Sequence, residues 1–177
     1  MFLADFFGMF SLSALVMWAF LMAFFFNLFV YSLGVKRKTT LLLSSFIMMV
    51  SYTATDYFFT WLSYYNTTYL DWALHDFATI LTLLIAYKFF KKVTPSFIYL
   101  ILGLSINMLL ATLMYLDVFI YRNQEPWFFW DIYTFTVTAN DLLMVAALII
   151  DRDFLGLHIL KSKLVSLLKP KKNYKRL

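Results

Sequence analysis

Asp131, Thr134, Thr138 and Asp141 follow one another at intervals of three, four and three residues within an otherwise apolar stretch. On an α-helix such intervals bring side chains to one face. Asp141 stands ten residues before Asp151, or ~15 Å along a helix rising 1.5 Å per residue, and Asn140 sits beside it. An ionisable side chain at that depth in an apolar helix is costly, and by default it marks a functional site. No lysine or arginine lies within the stretch to neutralise it. Asp141 must therefore carry a proton, face water or bind a cation.

Two further sets sit upstream. Ser45, Tyr52, Asp56, Thr60 and Ser63 share a stripe, and His75, Thr79 and Thr82 share another with Asp76 adjacent. His75 is the only basic partner within reach of Asp56 or Asp76. Its ordinary pKa of ~6.5 makes it the one group suited to respond to physiological pH. Together these residues outline a proton or cation pathway. Asp141, Asn140, Thr138, Thr134 and Asp131 form its stripe, and Asp56, His75 and Asp76 form an acidic mouth. The plainer alternative is that hydroxyl and amide groups tie helices together through hydrogen bonds. That alternative suits Asn27 and Asn107 best. They close the series Ala19, Ala23, Asn27 and sit within the series Gly103, Asn107, Ala111, both at the four-residue spacing of close helix packing.

Other chemistries are unsupported. There is no cysteine, which excludes disulfides, thiolate metal sites and cysteine nucleophiles. The chain has no His-Glu-x-x-His, no Gly-x-Ser-x-Gly, no glycine-rich phosphate loop and no Gly-x-Gly-Asp pair. His75 and His158 are too far apart in the chain's layout to ligate a haem together within a bilayer. The expectation is a non-enzymatic protein without cofactor or metal. Asn66-Thr67-Thr68 matches a glycosylation acceptor, a tripeptide common by chance.

The elements that must position these groups are membrane helices. Of the 177 residues, 63% are hydrophobic and 14% charged, with a mean hydropathy of +0.76. A soluble domain is about a quarter charged, and a core of this size could not hide so much apolar surface. A hydrocarbon layer of ~30 Å needs ~20 helical residues. Five stretches qualify, near 10–33, 40–64, 70–90, 95–121 and 127–150. The expected fold is an all-α polytopic bundle over 1–153 with continuous helices, since glycine and proline are scarce. The first stretch lacks the basic leader of a signal peptide.

Fourteen of the fifteen basic residues fall at 36–38, 88–92 and 152–176, which alternate to one side of five spans; only Arg122 falls on the other. By the positive-inside rule that side is cytoplasmic. The N-terminus is then outside, in a plasma or bacterial inner membrane, and the positive charge needs no nucleic acid to explain it. Tyr64, Tyr65, Tyr69, Trp72, Trp127 and Trp130 would form the outer aromatic belt.

The tail, 154–177, has a pattern of its own. Phe154, Leu157, Leu160, Leu164 and Leu168 recur every three or four residues. Lys161, Lys163 and Lys169 take other faces, and Lys171, Lys172, Lys175 and Arg176 follow Pro170. This describes an amphipathic helix and polybasic end able to meet anionic lipid of the inner leaflet or a cytosolic protein.

Three functions follow. The first is a small homo-oligomeric channel-like proton or cation conduit. The second is a membrane sensor or anchor subunit that engages a cytosolic effector through its tail. The third is a solute- or lipid-binding transport subunit. They diverge on one point, which is whether Asp141 faces a symmetry axis, a cavity within one chain, or dry packing.

Overall fold

The computed structural model describes residues 12–34, 39–61, 68–90, 94–123 and 125–152. All regular structure among them is helical: α1 (Leu12–Ser32), α2 (Thr39–Thr55), α3 (Tyr69–Phe90), α4 (Pro95–Tyr115) and α5 (Phe128–Ile150). Two helices widen into π-turns at the same end of the bundle, α2 over Asp56–Trp61 and α4 over Leu116–Ile120. Four helical stretches are long and apolar enough to cross a membrane: Leu12–Ser32, Tyr69–Lys88, Pro95–Ile120 and Phe128–Ile150. The chain therefore has the make-up of an integral membrane protein. The expected amphipathic tail lies outside the described residues.

Local chemistry sets several helix ends. Thr68 precedes α3 and donates its backbone N–H to Asp71 Oδ2 at 2.7 Å and its hydroxyl to the same oxygen at 2.9 Å. This satisfies a backbone donor that the first helical turn leaves free. Pro95 occupies the first turn of α4, where its missing N–H costs nothing. Asp151 ends α5 in the left-handed region, φ 48°, a conformation aspartate tolerates better than most residues. Its carboxylate lies 2.7 Å from the Ser96 hydroxyl at the start of α4.

The helices touch in chain order, α1 to α2 to α3 to α4 to α5, and α5 returns to α1. The circuit closes. Ser13 bonds Asp56, Phe20 stacks on Tyr52 and Phe24 meets Phe46, so α2 runs antiparallel to α1 over the same depth. Asn27 donates to the Leu148 carbonyl at 3.1 Å and joins α1 to α5.

The outside of the bundle is apolar. Trp18, Met22, Phe25 and Phe29 form an exposed stripe on α1, and Phe135, Leu142 and Ile149 are exposed on α5. Lipid is as apolar as leucine, so helices associate through close packing and hydrogen bonds rather than hydrophobic burial. Small and polar residues accordingly turn inward. Ala23, Asn27, Asn107 and Ala111 are buried, and Ala19 packs against the core. At Gly103 a Cβ would lie 2.5 Å from Met144 Sδ, so any larger residue there would force the Met144 side chain to move. Hydroxyls that cannot reach another helix bond back along their own, as Thr82, Ser105 and Thr112 do to the carbonyl four residues earlier.

The two ends of the bundle differ. Towards Ser32, Thr39, Phe90, Pro95 and Ile150 the interior is solid, with Phe20, Leu41, Met48, Leu83, Leu100, Leu104, Met144 and Leu148 at 1% exposure or less. Towards Leu12, Asp56, Tyr69 and Phe128 it is hollow.

Candidate functional site: an acidic, aromatic cavity between five helices

The hollow is a cavity of about 320 Å³ to which every helix contributes. Leu12, Ser13 and Val16 come from α1, and Tyr52, Thr55 and Asp56 from α2 with its π-turn. Tyr69, Trp72, His75 and Asp76 come from α3, Asn107 and Ala111 from α4, and Tyr133, Thr134, Val137, Thr138 and Asp141 from α5.

Asp141 forms the floor. It is 6% exposed. Its Oδ1 accepts the Tyr52 hydroxyl at 2.6 Å and Asn107 Nδ2 at 2.7 Å. Among the described residues its Oδ2 accepts no hydrogen bond. Behind the floor, Asn140 Nδ2 donates to Asn107 Oδ1 at 2.7 Å and to the Gly103 carbonyl at 2.8 Å. Asn107 therefore gives with one end of its amide and receives with the other, which fixes its orientation. Hydrogen-bonded side-chain networks in a buried site reinforce one another, so Asp141 is held through Oδ1 from α2 and α4.

The side walls carry the other acids. Asp56 Oδ1 accepts the Ser13 hydroxyl at 2.9 Å. Asp76 has no hydrogen-bond partner among the described residues. Three carboxylates thus meet one cavity, and among the described residues neither lysine nor arginine lines it. On α3, Thr79 donates to the His75 carbonyl at 2.9 Å, so Ser51 must donate to Thr79 across their 2.6 Å contact. Ser51 then accepts from His75 Nε2, 2.8 Å away, a proton position assigned from the network. Thr134 and Thr138 give their hydrogens to the Trp130 and Thr134 carbonyls. Only oxygen lone pairs remain for those two hydroxyls to offer the cavity. The lining is rich in acceptors, as a cation requires.

Among the described residues the lining does not continue past Asp141. The next turns toward the solid end present Met144, Leu148, Met48 and Leu104, all packed and absent from the lining. The cavity is blind.

Of the residues expected from sequence, Asp141, Thr138, Thr134, Asp56, His75 and Asp76 all meet here, and Asn140 braces them from behind. Asp131 does not. It is exposed in the first turns of α5 and absent from the lining, because ten residues at 3.6 per turn leave it roughly 80° around the helix from Asp141. Asn107, expected only to pack helices, also holds the central carboxylate. Ser45 lies away from the cavity and donates to the Leu42 carbonyl. The side chain of Thr60 and all of Ser63 lie outside the described residues, as do Lys161, Lys163, Lys169, Lys171, Lys172, Lys175 and Arg176.

Sequence reasoning missed the aromatic walls. Tyr69 and Trp72, assigned to an interfacial belt, line the cavity together with Tyr133. The signal was available, since Tyr69, Trp72 and Asp76 are three and four apart, and Tyr133, Val137 and Asp141 four and four.

No protein-family model, curated protein or solved structure matches this chain.

Proposed function

We propose that this is a non-enzymatic membrane protein of five spans that binds a cation in the cavity, reached from the outer face. It corresponds best to a solute-binding transport subunit. The observation that carries this reading is the convergence of three carboxylates on a cavity that, among the described residues, is blind and lined by neither lysine nor arginine. Like charges in a low-dielectric site repel strongly unless a proton or cation lies between them. The solid end below Asp141 weighs against a standing conduit. Because all five helices of one chain line the site, binding requires no second copy.

Antiparallel packing of α2 against α1 from Ser13 to Phe24 supports counting it as a span, its inward polarity explaining its lower hydropathy. The basic residues support an outer position for the hollow end. Cysteines at Asn66 and Asn123 should react with an impermeant thiol reagent in intact cells, and one at Lys92 should not. Labelling at Lys92 would reverse the orientation.

The binding test is thermal melting of the full chain in detergent with potassium, ammonium or choline chloride at constant ionic strength. A ligand at a hundred times its Kd stabilises the folded state by ~2.7 kcal/mol. At least one cation should raise the melting temperature of the wild type and leave the Asp76→Asn/Asp141→Asn double variant unmoved. If no cation separates the two proteins, the site does not bind cations.

A further inference from the structure

Carboxylates alone would suit any cation, but the walls of this cavity are selective. A bare metal ion wants a tight shell of oxygens, and about 320 Å³ is far more room than one such ion fills. Among the described residues no group of histidine and carboxylate side chains has the geometry to hold a metal. Ligand pockets for small organic molecules are instead mostly apolar, with a few convergent polar groups that fix orientation. That is the composition here. Leu12, Val16, Ala111 and Val137 are apolar lining, and Tyr69, Trp72 and Tyr133 add aromatic surface.

The aromatic arrangement points the same way. The rings of Tyr69 and Tyr133 pack edge to face at 85° with centroids 5.6 Å apart, and both line the cavity. Aromatic faces attract cations through their quadrupole, and cages of such rings are how proteins recognise alkylated ammonium groups. The acids supply the opposing charge. Asp141 is held by Tyr52 and Asn107 through one oxygen and leaves the other without a bond, and Asp76 is without a partner among the described residues. A buried carboxylate with one unbonded oxygen on a roomy cavity is a waiting counter-charge, and an ammonium head is small enough to reach it while its carbon substituents meet the rings.

We propose that the cavity holds a protonated or quaternary organic amine, its nitrogen against Asp76 and Asp141 and its carbon substituents against Tyr69, Trp72 and Tyr133. This rests on the cation-binding reading above and narrows it to a chemical class. The amine is either a free solute entering from the outer face or the headgroup of a lipid reaching in from the surrounding layer.

Calorimetric titration of the full chain in a maltoside detergent separates these ideas. The probes are choline, its neutral isostere 3,3-dimethyl-1-butanol, and potassium at matched ionic strength. Choline should bind saturably and at least about tenfold more tightly than the uncharged isostere, the range expected of a desolvated cation–π site. Tyr133→Phe keeps the aromatic face and should hold affinity within about threefold, while Tyr133→Leu should lose about tenfold. Should Tyr133→Leu fail to fold, Tyr69→Leu makes the same comparison from the other wall. Displacement of choline by a short-chain phosphatidylcholine assigns the site to a lipid headgroup, and no displacement assigns it to a free amine. Equal binding of choline and its neutral isostere, or full affinity in the leucine variants, overturns the proposal. Potassium binding without choline binding overturns it while leaving a cation site. Binding of neither removes both.

Discussion

The hollow and solid ends of the bundle are built from the same five helices, yet they solve opposite problems. At the solid end, Met48, Leu100, Leu104, Met144 and Leu148 interlock, and buried polar groups such as Asn27 and Ser96 join helices by reaching the Leu148 and Ala147 carbonyls. At the hollow end the helices stay in circuit but the interior is left open, and polar groups face space. The contrast shows that inward polarity has two uses in a membrane bundle. Where a hydrogen bond ends on a neighbouring helix it fastens. Where an oxygen is left over, it presents a site. Asp141 stands on the border and does both, since one carboxylate oxygen ties α5 to α2 and α4 while the other looks into the cavity.

The border residue offers the largest test of this division. Asp141→Leu removes the acceptor of both the Tyr52 hydroxyl and Asn107 Nδ2. A buried donor left unsatisfied costs roughly 1–3 kcal/mol, so two such losses should abolish cooperative melting or sharply lower its temperature. Asp141→Asn keeps an oxygen acceptor and replaces the other carboxylate oxygen with an uncharged amide donor. That variant should melt close to the wild type and lose most cation affinity. If asparagine destabilised as much as leucine, the charge itself would be part of the fold and the division between fastening and presenting would fail.

A second test moves wholly into the solid end. Leu148→Ala opens a void beside Met144 and Asn27. In lipid the deleted methyl groups forfeit packing rather than hydrophobic transfer, so the expected cost is about 2 kcal/mol, near the low end of the range for leucine to alanine. Calorimetric cation affinity should stay within about twofold, because the packed layer transmits little to a site braced by its own network. A tenfold loss of affinity would show that the two ends act as one.

The smallest effect belongs to Asp131. Being exposed and outside the lining, Asp131→Asn should alter neither melting nor cation affinity by a measurable amount. A clear loss of affinity would place it on the ligand's route into the cavity.

Much of this was legible in the chain, and the omissions have physical causes. The helical stretches follow from hydropathy, and the meeting of Asp56, Asp76, His75 and Asp141 follows from the rule that costly groups in membranes turn away from lipid. Asp131 misled because three-and-four spacing looks like a single face over two turns, while its residual rotation accumulates by the third. Tyr69 and Trp72 misled for a different reason. An aromatic residue near a helix end satisfies the interfacial rule equally well whether it points to lipid headgroups or into a pocket, and only packing separates the two. Tyr52 was seen as one polar residue on a stripe. That its hydroxyl would end on Asp141, 89 positions later, depends on the circuit closing, which no local pattern encodes.

That closure has a consequence for how the protein is made. The helix carrying Asp141 follows the other four described helices in the chain, and it seals the ring by returning to the first. Until it arrives, the Tyr52 hydroxyl and the Asn107 amide have no carboxylate to meet. The site is therefore a late product of biogenesis, and it serves as the latch on the finished bundle. A chain that stops before Phe128 would leave the Tyr52 hydroxyl and the Asn107 amide without that acceptor for good.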